Sequence, residues 1–273
     1  MSRIKKTFEV LKASGRKALV TFTMAGDPDL ENSLAVLKNL PEAGADLIEI
    51  GMPFTDPAAD GLTIQHAGQR ALEAGATMKT TLQIVRDFRA GNNHTPIILM
   101  GYANPLYAYG LEGFAKDAKE AGVDGLIIVD LPPEEDQELR KFTDAQGIDM
   151  IRLITPTTDE DRLPVVLDGA SGFLYYVSIT GVTGTAKADL NALKPHLDLI
   201  KSQSDLPIAI GFGIKTPNDA QEMSALGDAV VVGSSIVEKV KDIGENGDGM
   251  TYVTGLVRSL SDVLGPRPDE GAY

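Results

Sequence analysis

Glu49 stands inside an apolar run, between Ile48 and Ile50, and Asp60 follows eleven positions later. A carboxyl group is costly to bury unless it is paired or used. Apolar surroundings bias it toward the protonated form, which makes it a proton donor near neutral pH. The segment between the two acids, Gly51-Met52-Pro53-Phe54-Thr55-Asp56-Pro57-Ala58-Ala59, is punctuated by Gly and Pro and reads as a loop. One strand-end acid and one loop acid can converge on the same cavity, which suits proton-transfer chemistry. Taken alone, Asp60 also reads as a turn or cap residue, and Asp56 as an exposed loop position.

Three later loops are rich in glycine: Gly181-Val182-Thr183-Gly184, Gly211-Phe212-Gly213, and Gly233-Ser234-Ser235, which opens a helix at Ile236. Each glycine alone can serve an ordinary turn. Together they allow close approach of the backbone to a ligand, and a helix N-terminus attracts anions. In α/β barrels the loops after the seventh and eighth strands commonly hold phosphate.

The elements that must position these groups recur eight times. Short aliphatic or β-branched runs occupy 18–23, 46–51, 96–101, 125–130, 150–155, 172–178, 207–211 and 229–233. Most are nearly continuous, as in parallel strands covered on both faces. Helical patterns lie between them at 30–40, 81–88, 111–121, 134–145, 190–200 and 217–226. Ile4, Phe8 and Leu11 share a helical face, so residues 1–15 read as an amphipathic helix packed on the domain. Alternating strands and helices predict a parallel α/β fold. Eight repeats favour a closed barrel, with an open doubly wound sheet as the alternative. Thr23-Met24-Ala25-Gly26-Asp27-Pro28 stands where a dinucleotide fold would carry Gly-x-Gly-x-x-Gly.

The length of 273 residues suits one such domain, with 265–273 read as a frayed tail. Hydrophobic content of 43% supports a large core, built on aliphatic residues because Trp is absent. The net charge of −14 argues against a nucleic-acid or anionic-membrane surface, yet backbone N–H groups can still bind phosphate. With no Cys, disulfides and thiolate chemistry are excluded, which fits a reducing compartment. No run of about 18 apolar residues predicts a membrane helix, and the N-terminal residues lack the apolar core of a secretory signal. His66, His94 and His196 have no motif around them and read as surface or core residues.

Strand alternation groups Leu47 with Glu49 on one face. If that face points inward, Phe22, Tyr102, Ile127, Val129, Leu153 and Tyr175 could line the same lumen. Tyr102 and Tyr175 are the more suggestive, because a buried phenol needs a partner for its hydroxyl. An aromatic, mostly apolar pocket beside a phosphate site suits a flat ring with a phosphorylated tail.

Glu49-Ile50-Gly51-x-Pro53-Phe54-Thr55-Asp56-Pro57-x-Ala59-Asp60-Gly61 resembles the signature of the tryptophan synthase α-subunit family. Ser178-x-x-Gly181-Val182-Thr183-Gly184 is similar to that family's sixth loop, and Gly211-Phe212-Gly213-Ile214 and Gly233-Ser234 to its phosphate loops. Gly26-Asp27-Pro28, Tyr102-Ala103-Asn104-Pro105 and Asp130-Leu131-Pro132 also match, in order along the chain. The resemblance implies a (β/α)8 TIM barrel with extra helices, of the ribulose-phosphate-binding type. It implies a lyase that splits indole-3-glycerol phosphate into indole and glyceraldehyde 3-phosphate. Glu49 would be the general acid/base, and Asp60 would hold the indole N–H. Thr183 would help orient Asp60, Gly184, Gly213, Gly233 and Ser234 would hold the phosphate, and Gly211 and Phe212 would also contact the substrate. Phe22, Tyr102, Ile127, Leu153 and Tyr175 would pack on the indole. No metal or organic cofactor is implied for this chain. The implied partner is a β subunit carrying pyridoxal phosphate, in a cytoplasmic α2β2 complex that receives the indole. Asp56-Pro57, Asn104-Pro105 and Asp130-Leu131-Pro132 would face it.

Leu62, Ala58 and Ser235 depart from the common pattern without removing an acid. Three other readings stand beside this one: a free-standing indole-glycerol phosphate lyase, another phosphosugar barrel enzyme, and a non-catalytic subunit that only activates its partner. The presence of both acids argues against the last two.

Overall fold

The computed structural model describes residues 2–177, 190–211, 213–243 and 248–268. Its strands are β1 (Ala18–Met24), β2 (Leu47–Gly51), β3 (Ile97–Gly101), β4 (Gly125–Ile128), β5 (Asp149–Met150), β6 (Arg152–Ile154), β7 (Leu174–Val177), β8 (Ile208–Gly211) and β9 (Ala229–Val232). They form one parallel sheet in the order β5-β4-β3-β2-β1-β9-β8-β7-β6. The two ends of that order are consecutive in the chain, separated only by Ile151. The Ile151 N–H donates to Leu126 O at 2.9 Å, and Arg152 pairs with Leu174 on the other side. The run at 150–155 is therefore one barrel strand in two pieces, β5 against β4 and β6 against β7. The sheet is a nearly closed barrel, and the open doubly wound alternative is excluded. The run at 172–178 starts late because Gly172, at φ 76°, belongs to the turn before β7.

Twelve α-helices complete the described fold: α1 (Arg3–Ser14), α2 (Leu30–Ala43), α3 (Leu62–Glu73), α4 (Met78–Arg89), α5 (Ala103–Tyr109), α6 (Leu111–Ala121), α7 (Gln137–Gln146), α8 (Leu163–Leu167), α9 (Leu190–Gln203), α10 (Pro217–Ser224), α11 (Ser234–Val240) and α12 (Gly249–Asp262). Asp29 caps α2 by accepting from Asn32 N, and Thr77 and Thr216 form capping boxes on α4 and α10. Helices α3, α5, α8 and α12 fall outside the helical patterns of the sequence analysis, and α3 shows why a helix can escape. Its buried face is Ala67, Gly68 and Ala71, too small to give a strong apolar period. No helix among the described residues is long and apolar enough to cross a membrane.

Outward-facing side chains such as Ile48, Ile50, Leu99, Ile210 and Val230 join the helices in one core. Inward-facing Val20, Leu47, Ile98, Ile127, Ala209 and Val231 make a second core inside the barrel. Ile4, Phe8 and Leu11 of α1 belong to that inner core, so α1 stops the end of the barrel at which the strands begin. Phe8 packs on Phe173 with ring centroids 5.8 Å apart. Each such side chain contributes about 1.5–3 kcal/mol on burial.

The same end holds a buried ion pair. The Arg16 guanidinium lies 3.1 Å from Asp46, with both side chains excluded from solvent. Arg16 also donates to Ser261 Oγ at 2.8 Å and to Gly265 O at 2.7 Å, which ties α12 to the barrel. Arg267 donates to Pro41 O and Glu42 O, so the tail read as frayed from Gly265 is held through Arg267. Burial raises the Asp46 pKa even against the Arg16 charge. Removing one partner strands the other charge. Arg16→Ala is expected to cost about 3–5 kcal/mol, seen as a lower urea midpoint at unchanged m. An unchanged midpoint would show that the pair contributes nothing.

Candidate active site

Glu49 is the third residue of β2, paired with Phe22 of β1 and Ile98 of β3. It is fully buried, and neither carboxyl oxygen has a hydrogen-bond partner. Burial alone pushes its pKa up to about 8. The barrel thus holds a neutral carboxylic acid at pH 7, with both oxygens unengaged. That is the state a proton donor needs.

Tyr175 on β7 packs with the inner core and lies within the electrostatic reach of Glu49. Burial first, and the Glu49 charge second, raise its phenol pKa. Its ring occupies the space over Gly211, where an added Cβ would stand 2.6 Å from Cε1 and 2.7 Å from the hydroxyl. Gly51 makes room in the same way for Phe22, at 2.7 Å from its Cζ. A Cβ on Gly233 would touch Phe22 at 3.4 Å. These glycines let aromatic rings settle at the mouth. Gly211→Ala is expected to push Tyr175 off its seat, cost about 1–3 kcal/mol in stability and weaken ligand binding. Unchanged stability with Tyr175 in place would refute this packing argument. Ile127 is buried in the inner core, with Leu153 and Val129 packed against it.

Asp60 sits half-buried on the loop that β2 feeds, eleven residues beyond Glu49. Its N–H donates to Pro57 O at 3.1 Å, and its C=O accepts from Gln65 Nε2 at 2.8 Å. Tyr102 is another of the candidate pocket residues. It lies just past the end of β3, buried, with its ring 5.4 Å from that of Phe54. Its hydroxyl accepts the Ala59 N–H at 3.0 Å and interacts with the Asp60 carboxyl. Burial raises the Asp60 pKa, and the Tyr102 interaction opposes the rise. The phenol itself is pushed up to about 12, first by burial and then by Asp60. The partner that a buried phenol needs is therefore the second loop.

Gly211 ends β8, and Gly213 follows at φ 63°, exposed. Gly233 precedes α11, whose first residue, Ser234, is exposed. Ser235, one of the departures from the common pattern, donates to Ile214 O at 2.9 Å and so ties the two loops together. Backbone N–H groups at such a junction suit an anion without help from Lys or Arg. Thr183, Gly184 and Phe212 lie outside the described residues. A cavity of 670 Å³ opens at the opposite end of the barrel, beside α1, and contains none of these groups.

The match to known proteins covers this whole arrangement. The family model described as tryptophan synthase alpha chain matches residues 8–261. The chain belongs to the tryptophan synthase alpha chain family. Membership makes it an enzyme of tryptophan biosynthesis. Among solved structures, the tryptophan synthase subunit alpha of Legionella pneumophila str. Paris is 39% identical, with a TM-score of 0.90 over 97% of this chain and 98% of its own. A structure from Aquifex aeolicus VF5 is 34% identical, with a TM-score of 0.89 over 97% and 100%. Tryptophan synthase from Mycobacterium tuberculosis is 31% identical, with a TM-score of 0.88 over 97% and 99%.

His66 and His94 are exposed. His196 bridges the Tyr176 hydroxyl, at 3.0 Å, and Thr158 O, at 2.6 Å, on the outer side of the barrel wall. Two further polar contacts escaped the sequence reading. Arg70 of α3 forms a bidentate pair with the buried Asp27 of the first loop, at 2.7 and 2.9 Å. Asp130, after β4, accepts the N–H of Ala103 at 2.8 Å. Both lie in motifs that the sequence offered, Gly26-Asp27-Pro28 and Asp130-Leu131-Pro132. Their partners come from other elements, so no local spacing could reveal them.

Proposed function

We propose that this chain is the lyase subunit that cleaves indole-3-glycerol phosphate to indole and glyceraldehyde 3-phosphate. The observation that carries the reading is the buried, unpartnered Glu49 carboxyl in a barrel of this family. Indole leaves poorly until its C3 is protonated. Glu49, protonated at neutral pH because its pKa is about 8, gives that proton to C3. The resulting carboxylate then takes the proton of the adjacent glycerol hydroxyl. As the O–H bond breaks, the aldehyde forms and the carbon–carbon bond electrons return to the ring. Glu49 ends as it began, protonated. Asp60, ionised, accepts the indole N–H and stabilises the positive charge that C3 protonation places on the ring. Thr183 helps orient Asp60. Phe22, Tyr102, Ile127, Leu153 and Tyr175 form the walls around the indole. Gly184, Gly213, Gly233 and Ser234 hold the phosphate, chiefly through backbone N–H groups, and Gly211 and Phe212 also contact the substrate.

The family also supports a β-subunit partner, which we place in a cytoplasmic α2β2 complex with the pyridoxal phosphate on the β side. Leu62, 71% exposed at the start of α3, and Tyr107, 46% exposed on α5, offer apolar surface beside the mouth for such a contact. The test is indole release from indole-3-glycerol phosphate by the purified chain, with and without a tryptophan synthase β subunit. Weak release that rises sharply with the partner is the expected result. Full release without it would point to a free-standing lyase, and no release from the folded protein in either case would overturn the reading.

A further inference from the structure

We propose that Asp130 is a positioning residue for the cleavage reaction, acting through the start of α5 and Tyr102 on the Asp60 carboxyl. The proposal rests on the reading above that Asp60 binds the indole ring. Three contacts and one peptide bond connect the two acids across three loops. Asp130 Oδ1 accepts the N–H of Ala103, the first residue of α5, at 2.8 Å. Tyr102 is the residue immediately before that helix, in extended conformation at φ −115° and ψ 154°. Its hydroxyl accepts the Ala59 N–H at 3.0 Å. The same hydroxyl meets the carboxyl of Asp60, one residue further along.

The geometry separates the roles. Backbone bonds to Pro57 and Gln65 fix the main chain of Asp60, whereas among the described residues it is Tyr102 that meets its carboxyl. Tyr102 is held in turn by the Phe54 ring on one side and by the first turn of α5 on the other. That helix has only seven residues, and Tyr102 itself supplies no side-chain cap. Asp130 fills this place from the loop after β4, in the manner of an N-cap carboxylate. It can do so because β3 and β4 are paired, with Gly101 opposite Ile128. Removing it frees the first turn of α5 and, with it, the phenol that aims Asp60. Small displacements of a reacting group are costly, about 100-fold for 1 Å.

The experiment compares Asp130→Ala and Asp130→Asn in the full chain by steady-state indole release, with and without the β subunit. The Asn amide oxygen still accepts the Ala103 N–H, so that variant is expected to work like wild type. Asp130→Ala is expected to lower kcat about tenfold, with KM changed less than about threefold, in the isolated chain as well as in the complex. Adding it to Tyr102→Phe is expected to cause no more than about a further twofold loss, because both substitutions cut the same connection. Losses that multiply in the double variant would overturn the proposal. So would an Asn variant as impaired as the Ala variant, or an effect seen only with the β subunit present, which would make Asp130 a partner contact. Full activity of Asp130→Ala beside an active wild type would overturn this proposal alone. A wild-type chain that releases no indole would overturn the reading beneath it as well.

Discussion

Glu49→Gln lowers indole release by about 10³- to 10⁴-fold, near the top of the range for general acid–base groups, because one carboxyl performs both proton transfers. The amide keeps the shape of the side chain and leaves the walls of the barrel in place, so the variant folds and still binds the phosphate end of the substrate. Its stability carries a second signature. The folded carboxyl, at about 8, keeps a proton that the unfolded chain, at an ordinary 4.5, has released. The contribution of Glu49 to stability is therefore full below about 4.5 and is lost as pH rises through 8. Glutamine has no such dependence. Between pH 5 and 8 the stability difference moves toward the variant by about 1.4 kcal/mol per pH unit. Urea unfolding of both proteins across that range reads it directly. Parallel curves would mean that the acid is ionised in the folded state at neutral pH.

The second large effect is at Asp60. Asp60→Asn retains an oxygen that can accept the indole N–H but loses the negative charge. The charge matters most when C3 has been protonated and the ring is cationic, so the loss falls on kcat more than on KM. Its expected size is about 10²- to 10³-fold, as for other groups placed to stabilise charge that develops in the transition state. Asp60 is only half-buried and its loop is held by backbone bonds, so stability changes little. Single-turnover cleavage with and without the substitution measures this step free of product release. An Asn variant that cleaves at more than a tenth of the wild-type rate would remove Asp60 from its electrostatic role.

The two acids differ in how they could be read from sequence. Glu49 announces itself, because a carboxyl between two isoleucines in an aliphatic run is anomalous for a strand. Asp60 does not, since an acid before glycine in a Pro-rich loop is ordinary, and only the ordered signature marks it. Eight strands were legible as apolar runs. Their number favours a closed barrel, but the break in the fifth strand is not visible in it: Ile151 bonds to Leu126 of β4, and Arg152 pairs with Leu174 of β7. Helix α3 was hidden by its own composition. The reading that α1 packs on the domain came from three residues, Ile4, Phe8 and Leu11, and the inner core shows all three stopping the barrel.

Tyr102 marks a limit of local sequence. Its need for a hydroxyl partner is visible there, but the identity of that partner is not, because β3 ends at Gly101 and the partner comes from another element. One residue later the chain turns into α5, and the phenol faces the second loop. Asp130 and Ser235 teach the same lesson. Asp130 belongs to a motif and Ser235 departs from one, yet each acts on an element that the barrel, not the local sequence, brings beside it.

Everything in this mechanism depends on the barrel keeping Glu49 as a neutral acid near neutral pH. The most direct measurement is the titration of its carboxyl carbon by ¹³C NMR in protein labelled at glutamate, with Glu49→Gln identifying the resonance. A midpoint near 8 is the predicted result. A midpoint near 4.5, the value of an ordinary glutamate, would contradict the account.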